Sequence, residues 1–190
     1  MDPRLKAEEG KKKEAGLLRQ PTASSQGRGF YEQGFMIIEI DQLASVLKPG
    51  QRLLGLDYGD KFIGISLSDT RCKIATPHST LKRKDLKTDL NALVEMVESY
   101  NAAALIIGMP FNMNGSEGER CKLTRKFVQK FLSFYDMPLI LWDERLSTKA
   151  AMDILISGDM SFQKRDKAVD KIAAAYILQG VLDYLEHSAE

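Results

Sequence analysis

Three acidic residues in three separated segments carry the chemical potential of this chain. Asp57 ends the apolar run of LLGLDYG, Glu144 follows the apolar run of LILWDER, and Asp170 lies in AVDKIAAAYIL. A carboxylate beside apolar neighbours is costly unless a cation compensates it. Carboxylate oxygens are the preferred ligands of hard cations such as Mg²⁺, which keep waters that a phosphate oxygen can displace. Two such ions about 4 Å apart activate an attacking water and stabilise a leaving oxygen. These residue types point to a site for one or two Mg²⁺ or Mn²⁺ ions, suited to phosphodiester hydrolysis. Each acid also has a structural reading. Asp57, close to Gly59, suits a turn. Asp143 or Glu144 suits an ion pair with Arg145 or a helix cap. Asp170 suits the first turn of a helix, where the dipole favours negative charge. Residue chemistry alone leaves the two readings level.

The elements that must position these acids follow from the hydrophobic pattern. LLGLDY (53–58) and FIGISLS (62–68) read as strands joined by Gly59-Asp60-Lys61, a β-hairpin. Residues 73–76 supply a third strand. Leu86, Leu90, Leu93, Val94 and Val97 recur at helical spacing, with Asp85 as N-cap. ALIIG (104–108) has the continuous apolar character of a buried central strand. PFNMNGSEG is a loop, and Leu123, Phe127, Phe131 and Phe134 mark a second helix. PLILW (138–142) is another buried strand. Ser147 or Thr148 opens a short helix to about Ser157, GDMSFQKR is a loop, and Lys167 to Glu186 forms a final amphipathic helix. The order β-β-β-α-β-α-β-α-α predicts an α/β fold, an antiparallel hairpin unit followed by parallel crossovers. Sites in open α/β sheets form beyond the carboxyl ends of the strands, where Asp57 and Glu144 fall. Ala173, Ala174 and Ala175 let the helix carrying Asp170 come close.

Composition narrows the alternatives. With 190 residues and a formal net charge of +1, the chain has room for one domain and no global field that marks a nucleic-acid binder. Cys72 and Cys121 form no CxxC pair and His78 and His187 are far apart, which argues against zinc. No apolar stretch reaches the roughly 18 residues of a membrane helix. Residues 1–35 are charged and then rich in Gly, Ser, Pro and Thr, which predicts a disordered or leader segment. Residues 36–51 form a short lead-in with a turn at KPGQ, and the folded domain is expected over 52–187. Asp2, Glu8, Glu9 and Glu14 argue against an organellar transit peptide. The expectation is therefore a cytoplasmic protein, with an organelle the alternative if the extension is a targeting segment.

LLGLDYGDKFIGISLSD, LIIGMPFNMNGSEG, WDERLSTKAA and AVDKIAAAYIL, in that order, resemble the YqgF family. Its members are small proteins related to Holliday-junction resolvases, with a ribonuclease H-like fold. The resemblance spans roughly residues 52–186. It implies a five-stranded mixed sheet flanked by helices, and a metal-dependent nuclease that matures the 5′ end of pre-16S-type ribosomal RNA. It implies that Asp57, Glu144 and Asp170 are the catalytic acids and the metal ligands. Arg145 then either orients Glu144 or contacts the scissile phosphate. Asn112 and Asn114 of the GMPFNMNG loop, with Gly115, would offer hydrogen bonds to a nucleic-acid backbone; a plain turn is the other reading. The chain departs from short bacterial members in its N-terminal extension of about 50 residues. It also carries Asp166 one turn before Asp170, either a fourth ligand or an N-cap.

Basic residues suggest where a substrate lies. Lys122, Lys126 and Lys130 recur every four residues beside Arg125, and with Lys61 at the hairpin turn they are candidate phosphate contacts. Lys82-Arg83-Lys84 and Lys164-Arg165 are further basic clusters. A solvated helix face is the competing reading. Phe127, Phe131 and Phe134 sit at core spacing and read as packing. Nucleic acid is the expected partner, precursor ribosomal RNA first and branched DNA as the alternative, bound by a monomer or weak homodimer. Two competing functions remain: a DNA-junction resolvase and a binding module that has lost cleavage. An actin-like or sugar-kinase-like ATPase requires a second phosphate-binding repeat, which the chain lacks.

Overall fold

The apolar runs on either side of Gly59-Asp60-Lys61 pair as a hairpin, β1 (Arg52–Tyr58) against β2 (Phe62–Ser68), with Asp57 opposite Gly64. The structure is a computed structural model that describes residues 36–145 and 162–188, the side chains of 162–168 excepted. β3 (Ala75–Lys82) extends the hairpin antiparallel, and β4 (Ala102–Met109) and β5 (Leu139–Asp143) join on the other side in parallel. The resulting sheet has five strands in the order β3-β2-β1-β4-β5. This is the five-stranded mixed sheet that the sequence resemblance implied. β1 and β4 sit at its centre because their residues are apolar on both faces and nearly all buried.

A short lead-in helix α1 (Leu43–Val46) precedes the sheet, and three longer helices cover it: α2 (Leu86–Ser99), α3 (Glu119–Phe134) and α4 (Phe162–His187). One core cluster joins Leu54, Leu56 and Ile107 to Leu93, Phe127 and Phe131, so α2 and α3 cover one face. The other joins Leu53, Ala104 and Ile106 to Ile177, Leu178 and Val181, so α4 covers the opposite face. No helix among the described residues is long and apolar enough to cross a membrane.

The lead-in packs against this second face. Ile37 bridges Leu139 in parallel, with Ile38 N donating to Leu139 O at 2.9 Å and Leu139 N to Met36 O at 3.0 Å. The free edge of β5 is thus covered, and Leu43 is wholly buried.

Several elements differ from the pattern-based expectation. The third strand is Ala75–Lys82 rather than 73–76. It is an edge strand with no buried residue and with polar residues along it, so no apolar run marks it. Its Pro77 lies where the pairing with β2 shifts register, a position where a missing N–H is tolerated. α2 begins after Asp85, whose side chain accepts from Thr88 N as expected of an N-cap. Its inner face buries Asp89 while Leu86 is exposed. On α3 the buried stripe is Cys121, Thr124, Phe127, Val128, Phe131 and Leu132, and Leu123 and Phe134 lie at the exposed flank. The start of α3 approaches the loop after β4, where Cys121 Sγ donates to Pro110 O, and small side chains suit that approach. The last helix begins at Phe162, inside the segment expected to be a loop. The short helix expected from Ser147 or Thr148 lies outside the described residues.

Candidate active site

Asp57 occupies the end of β1, and its two strand neighbours are both glycines on its side of the sheet. On one side it faces Gly64 of β2. On the other, the β1–β4 register runs to Leu56 opposite Ile107, one residue short of Asp57 and Gly108. Each glycine makes room for something that reaches Asp57. A Cβ at Gly64 would lie 2.0 Å from the Asp170 carbonyl oxygen, so α4 crosses β2 there in backbone contact. A Cβ at Gly108 would lie 1.9 Å from Glu144 Oε2, so the Glu144 carboxylate lies over that glycine. The local sequences explain the arrangement. β5 pairs Trp142 with Gly108 and Asp143 with Met109, and Glu144 N extends the ladder to Met109 O at 3.3 Å. On α4, Ala173, Ala174 and Ala175 are buried, and Ser66 Oγ of β2 donates to Ala174 O at 2.8 Å.

The electrostatics tie the three acids together. Burial, then the charge of Asp170, push Asp57 up from its ordinary 3.8 to about 7. Burial, then the charge of Asp57, push Glu144 up from 4.5 to about 8. Asp170, Asp57 and Glu144 thus form a chain of mutually repelling carboxyls drawn from α4, β1 and the end of β5. Such a cluster holds protons near neutral pH, or it holds a cation. The donor set is all carboxylate oxygen, which suits Mg²⁺ or Mn²⁺. Among the described residues, no three His, Cys, Asp or Glu side chains are gathered closely enough for a ready-made metal cage. Mg²⁺ is commonly bound through one or two carboxylates, with waters and phosphate oxygens completing its shell. Asp57 and Glu144 fit that pattern.

The other candidate residues lie around this cluster in different relations to it. Arg145 is fixed on Asp143, through Nε to Oδ2 at 2.8 Å and NH2 to Oδ2 at 2.7 Å, rather than on Glu144. Its guanidinium also lies beside the Asn-Gly loop, 3.9 Å from where a Gly115 Cβ would be. In that loop Asn112 Nδ2 donates to Ser116 Oγ at 2.9 Å, and Ser116 N donates to Asn114 Oδ1 at 3.0 Å. Gly115 takes a φ of 80° that a turn of this kind requires. The two asparagines therefore build the turn. Lys61 is exposed at the hairpin turn. Lys122 is bound to Glu119 at 2.5 Å, and Lys126 lies on the exposed face of α3. The side chains of Lys164, Arg165 and Asp166 lie outside the described residues.

The sequence reading missed Arg120. Its NH2 donates to Tyr58 O at 2.9 Å and its NH1 to the Asp60 carboxylate. Its charge opposes the upward shifts of both Asp57 and Glu144. One signal was available, since an arginine in the first turn of a helix runs against the dipole and so calls for a local reason. Arg83 holds the same turn from the other side. It donates to Gly59 O at 3.0 Å and Asp60 O at 3.3 Å, and stacks 4.4 Å over the Tyr58 ring.

Comparison with known proteins identifies the family. Residues 51–184 match the family model described as "RuvX: Holliday junction resolvase". A protein of Methylocella silvestris named "Putative pre-16S rRNA nuclease" is 49% identical over 149 residues, 78% of this chain and 92% of that protein. One of Rhodospirillum rubrum with the same name is 44% identical over 151 residues, covering 79% and 94%. Among solved structures, Thermus thermophilus RuvC in complex with a Holliday junction substrate aligns with a TM-score of 0.47 at 11% identity, over 72% of this chain and 96% of that one. The stretch matched by the family model contains the β1–β2 hairpin, the Asn-Gly loop, the DER segment and the acid on α4, and on these grounds the chain belongs to the RuvX (YqgF) family.

Proposed function

We propose that the protein is a metal-dependent nuclease that hydrolyses phosphodiester bonds in precursor 16S-type ribosomal RNA. The observation that carries this is the Asp57–Glu144 pair at the carboxyl edge of β1, β4 and β5, with Asp170 brought beside it by the Gly64–α4 contact. The names of the relatives support the RNA substrate. Asp57 and Glu144 would hold Mg²⁺ or Mn²⁺, with Asp170 adding its carboxylate as the ion draws the site together, and the ion would supply a Lewis acid and lower the pKa of a bound water. The protein's own contribution is the concentration of negative charge at one point. Asp57 and Glu144 stay partly protonated at neutral pH until a cation draws them to the ionised form. The hairpin turn and the Asn112–Ser116 loop flank the acids and frame the entrance for a phosphate backbone.

The test is cleavage of end-labelled precursor 16S-type RNA and of a four-way DNA junction in Mn²⁺ or Mg²⁺, with Asp57→Asn in parallel. RNA cleavage that disappears in the variant is the expected result. Cleavage of the junction alone would replace this reading with a resolvase, the activity in the family's description. Such an enzyme cuts two strands as a symmetric dimer, which sedimentation would detect. Cleavage that survives Asp57→Asn would sink the proposed mechanism.

A further inference from the structure

Among the described residues, the cation whose charge acts on both Asp57 and Glu144 is Arg120, and its present partners are ones a substrate can replace. NH2 donates to the carbonyl of Tyr58, the residue that follows Asp57, so the guanidinium stands at the shoulder of the acid cluster. NH1 is paired with Asp60. That pair faces water, with the Arg120 side chain 41% and the Asp60 side chain 75% exposed. An exposed ion pair contributes little net stability, so a competing anion displaces it at little cost. The hairpin turn does not depend on it, because Arg83 holds Gly59 O and Asp60 O independently. Neighbouring cations on the same helix are engaged outward, Lys122 with Glu119 and Arg125 with Glu117. Three carboxylates repel a phosphodiester, and a guanidinium beside them, one arm anchored on a carbonyl and the other free to exchange its anion, offsets the repulsion.

We propose that Arg120 is a substrate-contacting residue, releasing Asp60 to take a backbone phosphate next to the scissile bond while NH2 stays on the Tyr58 carbonyl. Asp60 is then the placeholder that keeps the guanidinium aimed in the substrate-free protein. The inference rests on the nuclease reading above and adds the group that brings the phosphate to the acids. The competing reading is a purely structural latch between α3 and the hairpin.

The experiment measures binding of a fluorescein-labelled single-stranded RNA without divalent cations, across a KCl series, and cleavage of the same RNA with Mn²⁺. The proteins are wild type, Arg120→Met, Arg120→Lys and Asp60→Asn. Loss of one phosphate contact should lower the slope of log affinity against log salt by about 0.7. Arg120→Met should show that change, bind about tenfold more weakly, and lose on the order of 100-fold in kcat. Arg120→Lys should keep the salt slope and lose much of the kcat, since an ammonium lacks the rigid fork that holds the Tyr58 carbonyl and aims the other arm at the phosphate. Asp60→Asn, which removes the competing anion, should bind RNA several-fold more tightly. A structural latch predicts otherwise: an unchanged salt slope in Arg120→Met, and weaker binding in Asp60→Asn. Either result overturns the proposal. If Arg120→Met melts far below wild type, Arg120→Lys and Asp60→Asn decide. Wild-type protein that neither binds nor cuts RNA would instead remove the nuclease reading itself, and this inference with it.

Discussion

Replacing Asp57 by asparagine should make the metal-free protein more stable while abolishing its activity. Burial and Asp170 raise the Asp57 carboxyl from 3.8 to about 7. Folding therefore disfavours its ionised form, the reverse of the usual salt-bridged aspartate. The stability deficit is absent below about pH 4, grows as the unfolded chain ionises, and is complete above about pH 7, where the folded form ionises too. At about 1.4 kcal/mol per pKa unit, the full deficit is on the order of 4 kcal/mol. Relaxation and residual solvent at the site bring a realistic figure to about 2 kcal/mol. Removing this charge also relieves Glu144, whose rise to about 8 is partly due to Asp57. Urea denaturation in EDTA at pH 5 and pH 8 measures the effect. Asp57→Asn should gain about 1 kcal/mol at pH 5 and about 2 kcal/mol or more at pH 8. Added Mg²⁺ should stabilise the wild type selectively, by about 2.7 kcal/mol at a hundred times its Kd, and close the gap. A variant no more stable than wild type at pH 8 would refute the claim that these carboxyls repel one another.

Other consequences follow from the same geometry. Gly108→Ala places a methyl where Glu144 Oε2 now lies, and the clashing atoms are ends of flexible side chains. Activity should fall about 100-fold with a Tm shift of only a few degrees, readable from single-turnover cleavage and a thermal melt. The pH–rate profile at low Mn²⁺ should rise through about pH 7–8, reflecting Asp57 and Glu144 as a coupled pair. Saturating Mn²⁺ should move that acid limb to lower pH, because bound cation favours the ionised carboxyls. Leu43→Ala opens a cavity between the lead-in and the α4 face, and should cost about 2–5 kcal/mol in urea denaturation without changing catalysis per folded molecule.

The local pattern of the chain was enough to determine where the strands of the core lie and where two of the acids sit on them. Continuous apolar runs identify buried strands such as ALIIG and PLILW, and an acid at the end of such a run falls at a sheet edge. The N-cap role of Asp85 was equally local. What local pattern does not encode is which neighbours an element meets. β3 was misplaced because its edge position makes it polar. The inner face of α3 was misread because Cys121 and Thr124 are core residues only where that helix meets the Pro110 loop. The partners of Asp57 depended wholly on tertiary structure. Gly64 and Gly108 flank it only once β2 and β4 pair with β1, and their missing side chains admit the Asp170 backbone and the Glu144 carboxylate. Arg120 acquires its significance in the same way, since sixty-two residues of sequence separate it from the Tyr58 carbonyl it holds. Charge interactions act through space and burial, and neither quantity is fixed until the chain has closed around the site.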